Sequence, residues 1–217
     1  VLSSRISYLF ANKKVDEIHN RIDFALDYIL FMGVGISLGI IGIAQQFVPW
    51  FFGENFLETI PMLMLLSPIV VIVGISNCAG SLYYTPAGLR TTSTKFIITG
   101  SVINLILNTI LIPRYSGYGA IVASLAAELT ITVLYIRNSN GFLTTSMVIK
   151  KVWKKLIASI IMLFVIWGIG KGKDASIILT VIQVIVGGAI YCGILLALKD
   201  KFLITCFGML KGKIQKR

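Results

Sequence analysis

Acidic residues and histidine are scarce in this chain: nine Asp and Glu and one His stand among 217 residues. Charged residues of every kind make up only 13%, against about a quarter in a soluble domain, which excludes the ordinary soluble class. The three cysteines have no partner at metal or redox spacing. Cys78 and Cys192 fall in apolar runs and Cys206 in a basic tail, so all three read as packing residues. His19, beside Glu17 and Asp23, reads as a solvated histidine rather than a ligand. The acids Glu54 and Glu58 share one loop without the further convergent groups an active site needs. No catalytic residue, metal site or cofactor is therefore expected, and the chain is not expected to be an enzyme.

What fills the sequence instead is apolar: 56% hydrophobic residues and a mean hydropathy of +0.88. Runs long enough to cross a hydrocarbon core of about 30 Å occur at 26–48, 62–83, 95–112, 118–136, 155–171 and 176–198. The expected fold class is an all-α polytopic transmembrane bundle of six helices. The opening VLSSRISYLFANKKVDE has no initiator methionine, basic n-region or cleavage site. It is expected to begin the carboxy-terminal part of a longer polytopic protein, without a signal peptide.

The charge of +11 is a matter of topology rather than nucleic acid. Seventeen of the 20 Lys and Arg fall in the amino-terminal segment, the second-to-third connection, the fourth-to-fifth connection and the tail. The other connections hold only Arg114, Lys171 and Lys173. The positive-inside rule then places both termini in the cytoplasm, where the basic residues face anionic membrane lipids. In the opposite loop VPWFFGENFLET, Trp50, Phe51, Phe52 and Phe56 read as interfacial anchors and Gly53 as a turn. Gly35, Gly39 and Gly42 form a small stripe for close helix packing, and Pro68 can bend the second span.

The stretch LIPRYSGYGAIVASLAAE reads as a helical hairpin. Pro113 ends the third span, and Gly117 and Gly119 allow the reversal. At 1.5 Å per residue, Asn104 and Glu128 both lie roughly 13 to 15 Å from the turn, near the bilayer midplane. Asn104 and Asn108 share one face, as do Ser124, Glu128 and Thr132. Gly119, Ala123 and Ala127 make a small face beside them. An ionised carboxylate at midplane costs about 2.5–3.5 kcal/mol on insertion scales, so Glu128 should face the bundle interior or a watery cavity. Helix-to-helix hydrogen bonding and a place in a substrate or ion pathway both satisfy that condition.

The run NLILNTILIPRYSGYGAIVASLAAE, preceded by a helix pair joined through FVPWFFGENF, resembles the bacterial oligosaccharide-lipid flippases. These belong to the multidrug/oligosaccharidyl-lipid/polysaccharide exporter superfamily. Asn104, Asn108, Leu111, Ile112, Pro113, Gly119, Ala120, Ala123 and Glu128 carry the resemblance. The opening SSRIS is similar to the family's Pro-Arg-Ile-Ser element, with Ser4 where the family has proline. The likeness covers residues 1 to about 140; the last two spans match in hydropathy and position.

The resemblance implies the second lobe and terminal helix pair of a transporter with about twelve to fourteen helices, the first lobe being a missing partner. Residues 1–25 would be a cytoplasmic segment and helix extension, and 26–136 the four-helix part of that lobe. A cytoplasmic connection at 137–154, a terminal pair at 155–198 and a basic cytoplasmic tail at 199–217 complete it. The implied cargo is an undecaprenyl-diphosphate-linked oligosaccharide, moved by alternating access across the bacterial plasma membrane with a coupling ion or proton. Asn77, Asn104, Asn108 and Glu128 would face the sugars, and Arg90 and Lys95 would attract the diphosphate. The alternatives are a cation-coupled drug antiporter of the same superfamily, a membrane enzyme acting on lipid-linked sugars, and a structural subunit.

Overall fold

The computed structural model describes residues 2–12 and 14–214; Lys13, Lys216 and Arg217, which enter the charge pattern, lie outside them. Every regular element among the described residues is helical. α1 is Leu2–Ala11, α2 Val15–Phe52, α3 Thr59–Leu66 and α4 Ile69–Ala79. A π-helical turn, Gly80–Tyr84, continues α4. α5 is Arg90–Arg137, α6 Thr145–Gly170, α7 Ile177–Ala197 and α8 Lys201–Ile214. Among the described residues five helical stretches are long and apolar enough to cross a membrane: Val15–Phe52, Thr59–Tyr84, Arg90–Arg137, Thr145–Gly170 and Ile177–Ala197.

That count is five rather than six because α5 carries the expected third and fourth spans. Its 48 residues contain one non-helical residue, Ser116, at φ 48° and ψ −127°. The two arms then run back along each other. Ser93 Oγ lies 2.6 Å from Tyr135 Oη, and a Cβ at Gly119 would lie 2.5 Å from the Leu111 carbonyl oxygen. Pro113 does not end the helix as expected, since its fixed φ is helical and it tolerates the last turn at the loss of one hydrogen bond. The reversal falls three residues later, at Ser116.

The chain forms two compact units, Val1–Gly33 with Leu65–Lys150, and Val34–Met64 with Lys151–Arg217. In the first, Ile18, Ile22, Leu26 and Leu30 recur every four residues along α2 and are at most 1% exposed. This is the buried face of an amphipathic helix. α2 approaches α4 closely where glycine allows it: the Gly33 Cβ position is 3.4 Å from Val71 Cα, and that of Gly74 is 2.7 Å from Ile29 Cγ2. Thr132 Oγ1 donates to the Ile72 carbonyl at 3.1 Å and ties α5 to α4. His19 is half-buried and stacks on Phe142 with ring centroids 4.3 Å apart, so packing accompanies its partial solvation. At the start of α2, Lys14 Nζ donates to Glu17 at 2.8 Å, and the carboxylate holds that ammonium above its ordinary pKa.

In the second unit the glycine stripe packs as its spacing anticipates. Gly35 faces the Tyr191 ring, Gly39 faces Met162, and Gly42 faces Ile166. Gly42→Ala should destabilise the protein by about 1–3 kcal/mol, because its methyl would overlap Ile166. Thermal unfolding in detergent, with Gly188→Ala as the control that meets nothing within 4 Å, measures the difference. Buried polar side chains hold the helix ends. Gln46 Nε2 donates to the Gly170 carbonyl at 2.8 Å, Gln183 Nε2 to the Ile166 carbonyl at 2.7 Å, and Trp50 Nε1 to Thr180 Oγ1 at 2.8 Å.

The charge pattern reads Lys155 as a surface anchor, and the structure corrects this. α6 begins at Thr145, so Lys150, Lys151, Lys154 and Lys155 all stand on it. Lys155 is fully buried, with Nζ 3.2 Å from Asp200 Oδ2. Four lysines within six residues of a helix cannot all point to one side, and Lys155 falls on the face that packs.

Candidate functional site

In the first unit α4, the π turn and both arms of α5 line an open cavity of about 340 Å³. Glu128 and Asn77 both line it. From α4 and the π turn come Ser76, Asn77, Gly80 and Ser81; from the α5 arms come Ser93, Glu128 and Tyr135.

The local sequence accounts for this polar lining. SNCAGS, residues 76–81, places small and polar side chains in an otherwise apolar span, and Gly80 opens the π turn. One extra residue in a turn re-aims the side chains beyond it, and such turns recur at functional sites. Beside the π turn Ser93 Oγ and Tyr135 Oη are hydrogen-bonded at 2.6 Å, either hydroxyl donating. Tyr84 Oη donates to the Tyr135 carbonyl at 3.0 Å, which binds the π turn to the second arm. The rings of Tyr84, Phe96 and Tyr135 pack at 4.8 to 5.8 Å and close one side.

Glu128 is half-buried. Its backbone carbonyl accepts from Thr132 Oγ1, but its carboxylate bonds to none of the described residues. Asn77 is exposed and its amide is likewise unbonded among them. Both are available to something in the cavity.

The other expected site residues are placed elsewhere. Asn108 Nδ2 donates to Asn104 Oδ1 at 2.8 Å, which links the two amides along one arm. Neither lines the Glu128 cavity. The facing pairs Ser93 with Tyr135 and Gly119 with Leu111 put Glu128 about two to four residues, or ~3–6 Å, from the level of Asn104. The two depths agree only to within about one helical turn, and the two residues share no wall. The Asn108 Oδ1 atom is buried without a hydrogen-bond donor. Arg90 and Lys95 are exposed at the start of α5. Arg90 stands three and seven residues before Ser93 and Ile97, on the stripe that lines the cavity; Lys95 stands on the opposite face.

Ser81, Ser93 and Tyr135 were not singled out by the sequence. Their signal is the small polar cluster in the second span; the hydroxyls of α5 become visible only once the arms are paired. Among the described residues no three His, Cys, Asp or Glu side chains gather as a metal-ligand set. No family model, curated protein or solved structure matches this chain.

Proposed function

We propose that this chain is part of a membrane transporter whose cargo carries a polar head group, and that the Glu128 cavity belongs to its pathway. The observation that carries this reading is an ionisable side chain with no partner among the described residues, facing a cavity between membrane-length helices. An unpaired carboxylate in such a place is costly and marks a pathway more readily than a packing contact. The hydroxyls of Ser81, Ser93 and Tyr135 and the Asn77 amide offer the donors and acceptors that sugars require.

The resemblance in the α5 hairpin supplies the finer reading: a flippase for undecaprenyl-diphosphate-linked oligosaccharides in the bacterial plasma membrane. In this reading the chain is the second lobe and terminal helix pair, both termini are cytoplasmic, and Arg90 attracts the diphosphate at the cytoplasmic mouth. Asn104 and Asn108 then serve as helix-stabilising amides, with Asn77 and Glu128 touching cargo.

Glu128→Gln in the full-length protein should reduce polysaccharide export at least tenfold while expression is retained, as expected when a charge that contacts cargo or a coupling ion is lost, on the order of 1.4 kcal/mol or more. Normal export would remove Glu128 from the pathway. The unpaired carboxylate also suits a cation-coupled drug antiporter; drug resistance on overexpression, without a polysaccharide defect, would favour that reading. For orientation, a cysteine replacing Asn55 should react with an impermeant thiol reagent added outside cells, and one replacing Thr145 should not. The reverse pattern would overturn the charge argument.

A further inference from the structure

We propose that α8 is an interfacial helix that docks on anionic phospholipid beside the end of α7. This rests on α7 crossing the membrane and is independent of the transported cargo. α8 has 14 residues, so it is about 21 Å long and too short to span a core of about 30 Å. Only Leu198, Lys199 and Asp200 separate it from α7, which fixes its first turn at the level where α7 leaves the core.

A polar clamp sets that elbow. Lys154 Nζ donates to the carbonyls of Leu198 at 2.8 Å and Lys199 at 3.2 Å, the end of α7. Lys155 Nζ pairs with Asp200 Oδ2 at 3.2 Å, while Asp200 Oδ1 accepts from the amides of Phe202 and Leu203, the start of α8. Lys199 turns the chain at φ 51°. Two adjacent lysines of α6 thereby hold both helix ends, and α8 leaves in a fixed direction instead of continuing α7.

The faces of α8 suit a membrane surface. Lys201, Thr205 and Gly208 are exposed on one stripe, while Phe202 and Leu203 are buried. Lys211 and Lys213 follow in the same helix. Phe202 and Leu203 thus pack the helix on the protein, while Lys201 and the exposed Ile204 face outward, a cation beside an apolar side chain as in helices that lie in the headgroup region. No acid occurs between Lys201 and the end of the chain, so the helix is purely cationic and complements lipid phosphates.

Hydrogen exchange of the α8 backbone in nanodiscs holding the full chain tests this. With phosphatidylglycerol mixed into phosphatidylcholine, α8 should exchange on the order of tenfold more slowly than in phosphatidylcholine alone. Raised salt should erase the difference, because it shortens the screening length. Replacing Lys201, Lys211 and Lys213 with Gln should reduce the difference below about twofold at low salt. Equal exchange in the two lipids, or a difference that survives either high salt or the lysine replacements, would overturn the proposal.

Discussion

Lys155→Met should destabilise the protein by about 3–5 kcal/mol, read as a loss of thermal stability in detergent. The side chains of Lys155 and Asp200 are 1% and 6% exposed, so deleting the ammonium strands a carboxylate away from water. The damage extends beyond one ion pair, because Asp200 also caps the first turn of α8 through the amides of Phe202 and Leu203. The double variant Lys155→Met with Asp200→Asn should recover most of the loss. Asparagine keeps an oxygen for the cap and carries no charge to strand. A double variant no better than the single one would mean that the pair holds the elbow by packing rather than by charge.

Gly119→Ala should be nearly as damaging, at about 3 kcal/mol. Its methyl would stand 2.5 Å from the Leu111 carbonyl oxygen and 2.6 Å from the carbonyl carbon. Those are backbone atoms of the facing arm, which no rotamer change can move aside. At Gly42 the obstacle is the flexible end of Ile166, so the same substitution costs less there. Gly168→Ala is the control, since a methyl at that position meets nothing within 4 Å. It should be neutral or stabilising by up to about 1 kcal/mol from helix propensity. If Gly119→Ala unfolds at the same temperature as Gly168→Ala, the two arms of α5 do not meet as described.

The pairing at Gly119 also shows why part of this fold is legible in sequence. Gly119, Ala123 and Ala127 repeat every four residues, and all three are buried between the arms of α5. The stripe of Gly35, Gly39 and Gly42 is equally local information, because helical period alone decides which residues share a face. Pro113 misplaced the reversal by three residues, since a proline inside a helix removes a hydrogen bond and bends the chain without having to end it. The asymmetry of Lys155 could not be read at all. Its partner Asp200 lies 45 residues away, and basic residues near a span look alike whether they anchor to headgroups or turn inward.

The candidate site divides the same way. Depth along one helix is a matter of counting, so the levels of Glu128 and Asn104 emerged from the sequence to within about one helical turn. Which residues face Glu128 depends on how α4 lies against α5, and this is where Asn77 joined the cavity and the asparagine pair of α5 left it. The π turn at Gly80–Tyr84 has no sequence period of its own, and it is what turns Ser81 to the cavity.

Water access to the Glu128 cavity decides whether it is a pathway or a packing defect. Single cysteines can be placed at Asn77, at Ser81 and at Leu105, which is 68% exposed on the apolar outside of the first α5 arm, after Cys78, Cys192 and Cys206 are changed to Ala. In membrane fragments open on both sides, an impermeant thiol reagent should modify positions 77 and 81 and leave position 105 unreacted. Unreacted cysteines at 77 and 81 alongside a correctly folded protein would show a dry cavity, and the transport reading of Glu128 would fall with it.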